Sequence, residues 1–235
     1  MKEFSRERVG AVVVAAGGSQ RMGGVDKIFA IVAGKPVLAH VLSVFERCSL
    51  VDQVVVVLNA AGLERGREIV ESNGFSKVVA LCRGGERRQD SVAEGLKRLE
   101  GCYWVIVHDG ARPCVTSELV ERGLDEVRQT GAAIAAVPVK ETVKVIDVER
   151  IVQNTPYRGN LWVAQTPQIF RFDIIVKAYR QTGEEVTDDA AAVEALGHKV
   201  KVYMGLYENI KVTTQEDLTL VEIIMRGRDE GRHWL

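Results

Sequence analysis

The chain has 235 residues, 46% hydrophobic and 27% charged, with a formal net charge of -1. That is enough apolar content to bury a real core in one large α/β domain, and a near-neutral balance argues against a nucleic-acid-binding surface, whose usual footprint is strongly basic. No segment is apolar for long enough to span a bilayer. The charged start MKEFSRERVG is not a signal-peptide pattern, and Cys48, Cys82, Cys102 and Cys114 lack C-x-x-C or metal-ligand spacing; the expectation is a cytoplasmic protein with buried thiols and no membrane contact.

Val9 to Ala16 is an apolar, β-branched run without helical period, so it reads as a central strand covered on both faces. It runs into a loop with Gly17, Gly18, Gly23 and Gly24, where Arg21 and Lys27 add two cations. Glycines there permit close backbone approach to a ligand, and the combination suits a polyphosphate. The same loop is also what a tight strand-to-helix turn with solvated charges would need. Neither G-x-x-x-x-G-K-[ST] nor a helix-opening G-x-G-x-x-G is present.

Downstream, Pro36 suits the first turn of a helix with Val37, Leu38, Val41, Leu42 and Phe45 at helical spacing. Residues 53–58 read as a strand, 61–73 as a helix stopped by Gly74, 78–82 as a strand, 90–99 as a helix and 103–108 as a strand. Thr116 caps the next helix, and 132–139 is another strand. Such alternation implies right-handed crossovers and a parallel, doubly covered sheet, whose ligands bind at the carboxyl ends of the strands. The pattern breaks at residues 140–165, where apolar and polar residues alternate with no long helix. A protruding β-arm is expected, and its apolar side chains call either for a second subunit or for folding back on its own domain. TPQIF then reads as a loop and short strand, 172–182 as a helix, and 187–196 as a helix capped by Thr187 with Asp188 and Asp189 in its first turn. Residues 199–204 and 209–212 read as strands, Thr214 opens the last helix, and 226–235 form a charged, frayed tail.

Three more clusters fall where strands should end beside the opening loop. GGERRQDSV (84–92) offers two glycines, Arg87, Arg88 and the Ser91 hydroxyl, although a basic turn with a helix cap would look similar. HDGARP (108–113) places Asp109, a hard oxygen ligand suited to magnesium or a hydroxyl, near Arg112, a fork for an anion; His108 reads as a packed strand-end residue and not as a base. NIKVTT (209–214) puts Lys211 where it needs a ligand or a buried partner.

AAGGSQRM with Lys27, GGERRQDSV, VHDGARP, PVKETVK, TPQIF, TDDAAAVE and NIKVTTQEDL stand in an order and spacing that resemble the 2-C-methyl-D-erythritol 4-phosphate cytidylyltransferases, from about Val9 to about Leu220. Ribitol 5-phosphate cytidylyltransferases share the opening loop and TPQ, but the double small residue before Arg112 is more similar to the methylerythritol enzymes. The resemblance implies a Rossmann-like α/β fold, a mostly parallel sheet covered by helices, as one nucleotidyltransferase domain over 1–235 with a dimerisation arm at about 140–165. It further implies transfer of CMP from CTP to methylerythritol phosphate with release of pyrophosphate, assisted by Mg2+, in a homodimer. By that likeness, Arg21, Lys27 and Lys211 are catalytic. Ala15, Ala16, Gly17 and Ser19 lie along the triphosphate, and Gly85, Glu86, Arg88 and Ser91 form the cytosine pocket. Asp109, by the same likeness also the carboxylate near the metal, serves the substrate together with Arg112, Thr142, Arg158 and Thr166, with Arg158 reaching the neighbouring subunit. Ser19 stands where many members have glycine, and Glu141 replaces the common aspartate before Thr142. A transferase for another polyol phosphate such as ribitol 5-phosphate, or a silent CTP-binding protein, is the alternative.

Overall fold

The computed structural model describes residues 7–18, 26–181 and 185–229. Strand β1 (Val9–Ala15) lies inside the sheet, buried at every position but the half-buried Val14, as its unbroken β-branched run requires. After the turn Lys27–Phe29 come a short antiparallel pair, β2 (Ile31–Val32) and β3 (Lys35–Pro36), and helix α1 (Val37–Arg47). Pro36 sits at the N-cap of α1, one position earlier than its spacing suggests. Strand β4 (Gln53–Leu58) is wholly buried, and α2 (Leu63–Asn73) ends at Gly74, whose φ of 64 puts it in the left-handed region that favours glycine. There follow β5 (Val78–Arg83), α3 (Arg88–Leu96), β6 (Trp104–Asp109), α4 (Ser117–Thr130) and β7 (Ala132–Pro138). The Thr116 hydroxyl caps α4 by accepting from the Leu119 N–H.

Helix α3 starts at Arg88, two residues before the expected Asp90, because Asp90 is the third residue of a capping box and its carboxylate accepts from the Arg87 N–H. Beyond β7, the arm carries only β8 (Val145–Ile146) and β9 (Val152–Asn154), both exposed at every position. Its expected C-terminal end does not belong to it: Trp162–Gln165 open β10 (Trp162–Arg171), a ten-residue strand inserted antiparallel between β6 and β7. Helix α5 (Phe172–Gln181) follows without a break. Helix α6 (Asp189–Glu194) is capped by Asp188, not Thr187, the Asp188 carboxylate accepting from the Ala191 N–H. Strand β11 (Lys201–Met204) and helix α7 (Gln215–Asp229) complete the described chain. Residues 209–212 form no strand. They are a loop held by isolated bonds in place of a ladder, among them Arg112 to the Asn209 carbonyl and the Val212 N–H to the Ala111 carbonyl. The last helix does not fray at residue 226, since Arg228 binds both Glu208 and the Cys114 carbonyl.

The sheet order is β11-β7-β10-β6-β1-β4-β5, parallel except where β10 runs antiparallel to both neighbours. One face is covered by α1, α2 and α4 through Leu38, Phe45, Ile69 and Leu119, the other by α3, α5 and α6 through Val92, Ile175 and Val193. The carboxyl ends of β1, β5 and β6 therefore open together on one edge, and β10 crosses that edge in the opposite direction.

Candidate active site

Two cavities lie side by side at this edge. The first, about 180 Å3, is lined by Ala15, Ala16 and Gly17 from the end of β1, by Lys27, by Gly85, Glu86, Arg88 and Ser91 from the loop and helix after β5, and by Asp109 and Lys211. The second, about 320 Å3, is lined by Arg112, Thr166, Gln165 and Asp188 and again by Arg88, Asp109 and Lys211. Those last three side chains form the shared wall.

Gly84 lets the loop after β5 come that close to β1: a Cβ there would stand 2.5 Å from the Ala16 Cβ and 2.5 Å from the Ser91 Oγ. Asp109 is the centre of charge. Its Oδ1 accepts from the Arg88 Nε at 3.2 Å, its Oδ2 meets the Lys211 Nζ at 2.8 Å, and the Arg112 Nε stands 3.7 Å from Oδ2. Burial opposes ionisation of this carboxyl, but Arg88, Lys211 and Arg112 outweigh it and hold Asp109 well below the usual carboxylate range. Burial likewise opposes the charge on Arg88, and Asp189 and Asp109 outweigh it, so its guanidinium is held well above its ordinary value. For Arg112 burial prevails and its pKa is lowered.

The loop that delivers Lys211 is pinned from below. Asn209, wholly buried, donates from Nδ2 to the Thr166 carbonyl at 2.7 Å while its own carbonyl accepts from Arg112 at 2.7 Å. Gln165 donates to the Leu206 carbonyl at 2.9 Å. His108 is wholly buried between Thr166 and the Arg112 carbonyl. A carbonyl can only accept, so the imidazole proton is on Nε2, and Nδ1 accepts from the Thr166 hydroxyl, which in turn accepts from the Asp109 N–H at 3.0 Å.

Of the residues expected from sequence, ten line the first cavity and Arg112 and Thr166 join at the second. Thr142 and Arg158 line neither; both are exposed on the arm, where Arg158 donates to the Lys140 carbonyl at 2.7 Å beside a third cavity. Ser19 and Arg21 lie outside the described residues. Sequence reasoning left Asp189, Tyr179, Asn209 and Gln165 without a role. Asp189 and Asn209 lie in the TDDAAAVE and NIKVTT runs, read as a helix start and a strand, while Tyr179 lies in the predicted helix 172–182 and Gln165 at the end of the predicted arm.

The family model for 2-C-methyl-D-erythritol 4-phosphate cytidylyltransferase (IspD) matches residues 9–227. A relative of that name from Dehalococcoides mccartyi is 52% identical over 95% of this chain and 98% of its own length. A solved 4-diphosphocytidyl-2C-methyl-D-erythritol synthase from Anaerococcus prevotii superposes with a TM-score of 0.84 at 31% identity, covering 94% of this chain and 96% of that one. A solved 2-C-methyl-D-erythritol 4-phosphate cytidylyltransferase from Thermus thermophilus superposes with a TM-score of 0.75 at 32% identity, covering 92% and 98%. The chain belongs to the 2-C-methyl-D-erythritol 4-phosphate cytidylyltransferase family, enzymes of isoprenoid biosynthesis.

Proposed function

We propose that the first cavity takes CTP, the second takes the polyol phosphate, and cytidylyl transfer to 2-C-methyl-D-erythritol 4-phosphate occurs across the wall of Arg88, Asp109 and Lys211. The observation that carries this reading is the sharing of that wall by two adjoining cavities. A phosphate monoester has a second pKa of about 6 and is already mostly dianionic near neutral pH, so the nucleophile needs no general base. What the reaction needs is two anions held together and cations where charge builds on the transferring group. Lys27 and Lys211 face the first cavity and suit the second requirement; Arg112 and Lys211 suit the acceptor phosphate. Ala15, Ala16 and Gly17 offer a backbone edge to the triphosphate, and Gly85, Glu86 and Ser91 a narrow slot for a pyrimidine.

Among the described residues no group of three or more His, Cys, Asp and Glu is placed to hold a metal, and both Asp109 oxygens already face cations. Magnesium is commonly held by one or two carboxylates with substrate phosphates completing its shell. The residues therefore fit an ion that arrives with CTP, Asp109 being the carboxylate that would hold it. When bound, such an ion neutralises charge on the triphosphate.

The unit we propose is a single domain working as a cytoplasmic homodimer joined through the arm. Supporting it are the exposed Val145, Ile146, Ile151 and Val152 of the arm and the exposed Trp162 and Val163 at the start of β10, a large apolar surface to leave in water, and the four unpaired thiols, usual in a reducing compartment. No described helix is long and apolar enough to cross a membrane.

Pyrophosphate release across four nucleotides with methylerythritol phosphate and ribitol 5-phosphate tests the activity. Turnover is expected with CTP and methylerythritol phosphate, and a preference for ribitol 5-phosphate would overturn the substrate assignment. Lys27→Ala should lower kcat by about 10²–10³ while CTP affinity moves only a few-fold. Equal losses in both would make Lys27 a ground-state contact. Gly84→Ala should push the loop after β5 away from Ala16 and raise the CTP KM about tenfold, in keeping with an overpacking cost of about 1–3 kcal/mol. An unchanged KM would mean that the loop does not wall the nucleotide.

A further inference from the structure

Asp189, in the first turn of α6, is wholly buried. A carboxylate taken out of water costs several kcal/mol unless it is paired and hydrogen-bonded, and this one meets both conditions. Its Oδ2 stands 2.7 Å from the Arg88 Nη2, and its Oδ1 accepts from the Tyr179 hydroxyl. The start of α6 cannot drift away from this contact. Gln168 of β10 donates to the Asp188 carboxylate at 2.9 Å and accepts from the Ala190 N–H at 3.0 Å. Gln89, next to Arg88, accepts from the Val186 N–H at 3.1 Å.

Arg88 is thus held between two carboxylates, Asp189 behind the wall and Asp109 within it, while it lines both cavities. We propose that Asp189 is a positioning residue for cytidylyl transfer, holding Arg88 in the wall and cancelling its charge so that the acceptor phosphate is met by Arg112 and Lys211. The inference rests on the assignment of the second cavity to the polyol phosphate. The ion pairs of Arg88, Arg112 and Lys211 go to two carboxylates, Asp109 and Asp189, while Asp188, also in the lining, accepts from Gln168. Without Asp189 the guanidinium of Arg88 becomes an extra anion site that can hold a phosphate away from the in-line position. Productive geometry is then lost although anion binding improves.

The test is steady-state kinetics of Asp189→Asn with inorganic phosphate as competitor of the polyol phosphate. The variant should lose about 10²-fold in kcat, the cost typical of a misplaced reacting group, and inorganic phosphate should inhibit at a concentration roughly tenfold lower, a factor equal to about 1.4 kcal/mol. Misfolding alone reduces active protein and cannot tighten phosphate binding. Adding Arg88→Gln to Asp189→Asn should abolish the extra phosphate affinity. Should Asp189→Asn fail to fold, Tyr179→Phe, which keeps both charges and only loosens Asp189, should show both effects at about threefold. If Arg112→Ala leaves the polyol phosphate KM unchanged, the cavity assignment falls and the inference with it. If Arg112→Ala raises that KM while folded Asp189→Asn, or Tyr179→Phe in its place, keeps wild-type phosphate inhibition, the inference alone is overturned.

Discussion

Asp109→Asn should abolish turnover and lower the unfolding free energy at neutral pH by about 3 kcal/mol, the size expected when one partner is removed from a buried ion cluster. The Asp109 side chain is 9% exposed and answers Arg88, Lys211 and Arg112 at once. Neutralising it leaves three cations crowded together, with Arg88 alone keeping a second carboxylate partner in Asp189. Lys211, 40% exposed along its side chain, can turn to water, which limits the loss; the partly buried Arg112 has less freedom. The sign with pH is fixed by the direction of the shift. A carboxyl held below its unfolded value near 3.9 contributes fully above that value and loses its contribution as pH falls towards its folded value, so the whole effect is visible at pH 7. Urea unfolding measures it. Because the variant's site carries one more net positive charge, added phosphate should raise its Tm more than that of the parent. A variant of parental stability with no added response to phosphate would show that Asp109 does not balance the cluster.

Part of this cluster is legible in the sequence because Arg88 and Asp109 follow predicted strands, where the topology of a parallel sheet must gather them, whereas Lys211 falls inside a predicted strand, 209–212, that the fold does not form. The valine runs of β1 and β4, the Thr116 cap and the Gly74 stop are legible for the same local reasons. What fails is anything decided by a distant partner. Strand β10 is hidden because Gln165 and Gln168 look like surface residues and Pro167 like a turn. In the fold both glutamines are buried, their amides satisfied by the Leu206 carbonyl and by Asp188, and the register shifts between Ala164 and Gln168. Residues 209–212 have the pattern of a strand without a neighbouring strand to pair with. Asp189 looks like a first-turn acid answering a helix dipole; only the approach of Arg88 from α3 and Tyr179 from α5 turns it into a buried pair.

His108 should make the fold acid-sensitive well above the range in which carboxylates titrate. Burial lowers its pKa to about 4, with Asp109 only partly opposing the shift. The ring has no room for a charge: its edge meets Phe45 with centroids 5.5 Å apart, Nδ1 accepts from Thr166, and Nε2–H donates to the Arg112 carbonyl. An unfolded histidine takes up its proton near pH 6.5, whereas this one stays neutral in the fold until about pH 4. Between those values unfolding therefore binds a proton, and stability falls as pH falls, by up to about 1.4 kcal/mol per pH unit and about 3 kcal/mol in all. Above pH 6.5 the contribution is flat. Urea unfolding from pH 7.5 to 4.5 should show this slope in the parent and a flatter line in His108→Gln, whose side chain does not titrate. A parental slope in His108→Gln would assign the acid sensitivity to other groups. Since the same imidazole fixes the Thr166 hydroxyl under the Asp109 N–H and holds the Arg112 carbonyl, protonating it disturbs both anion-handling residues at once.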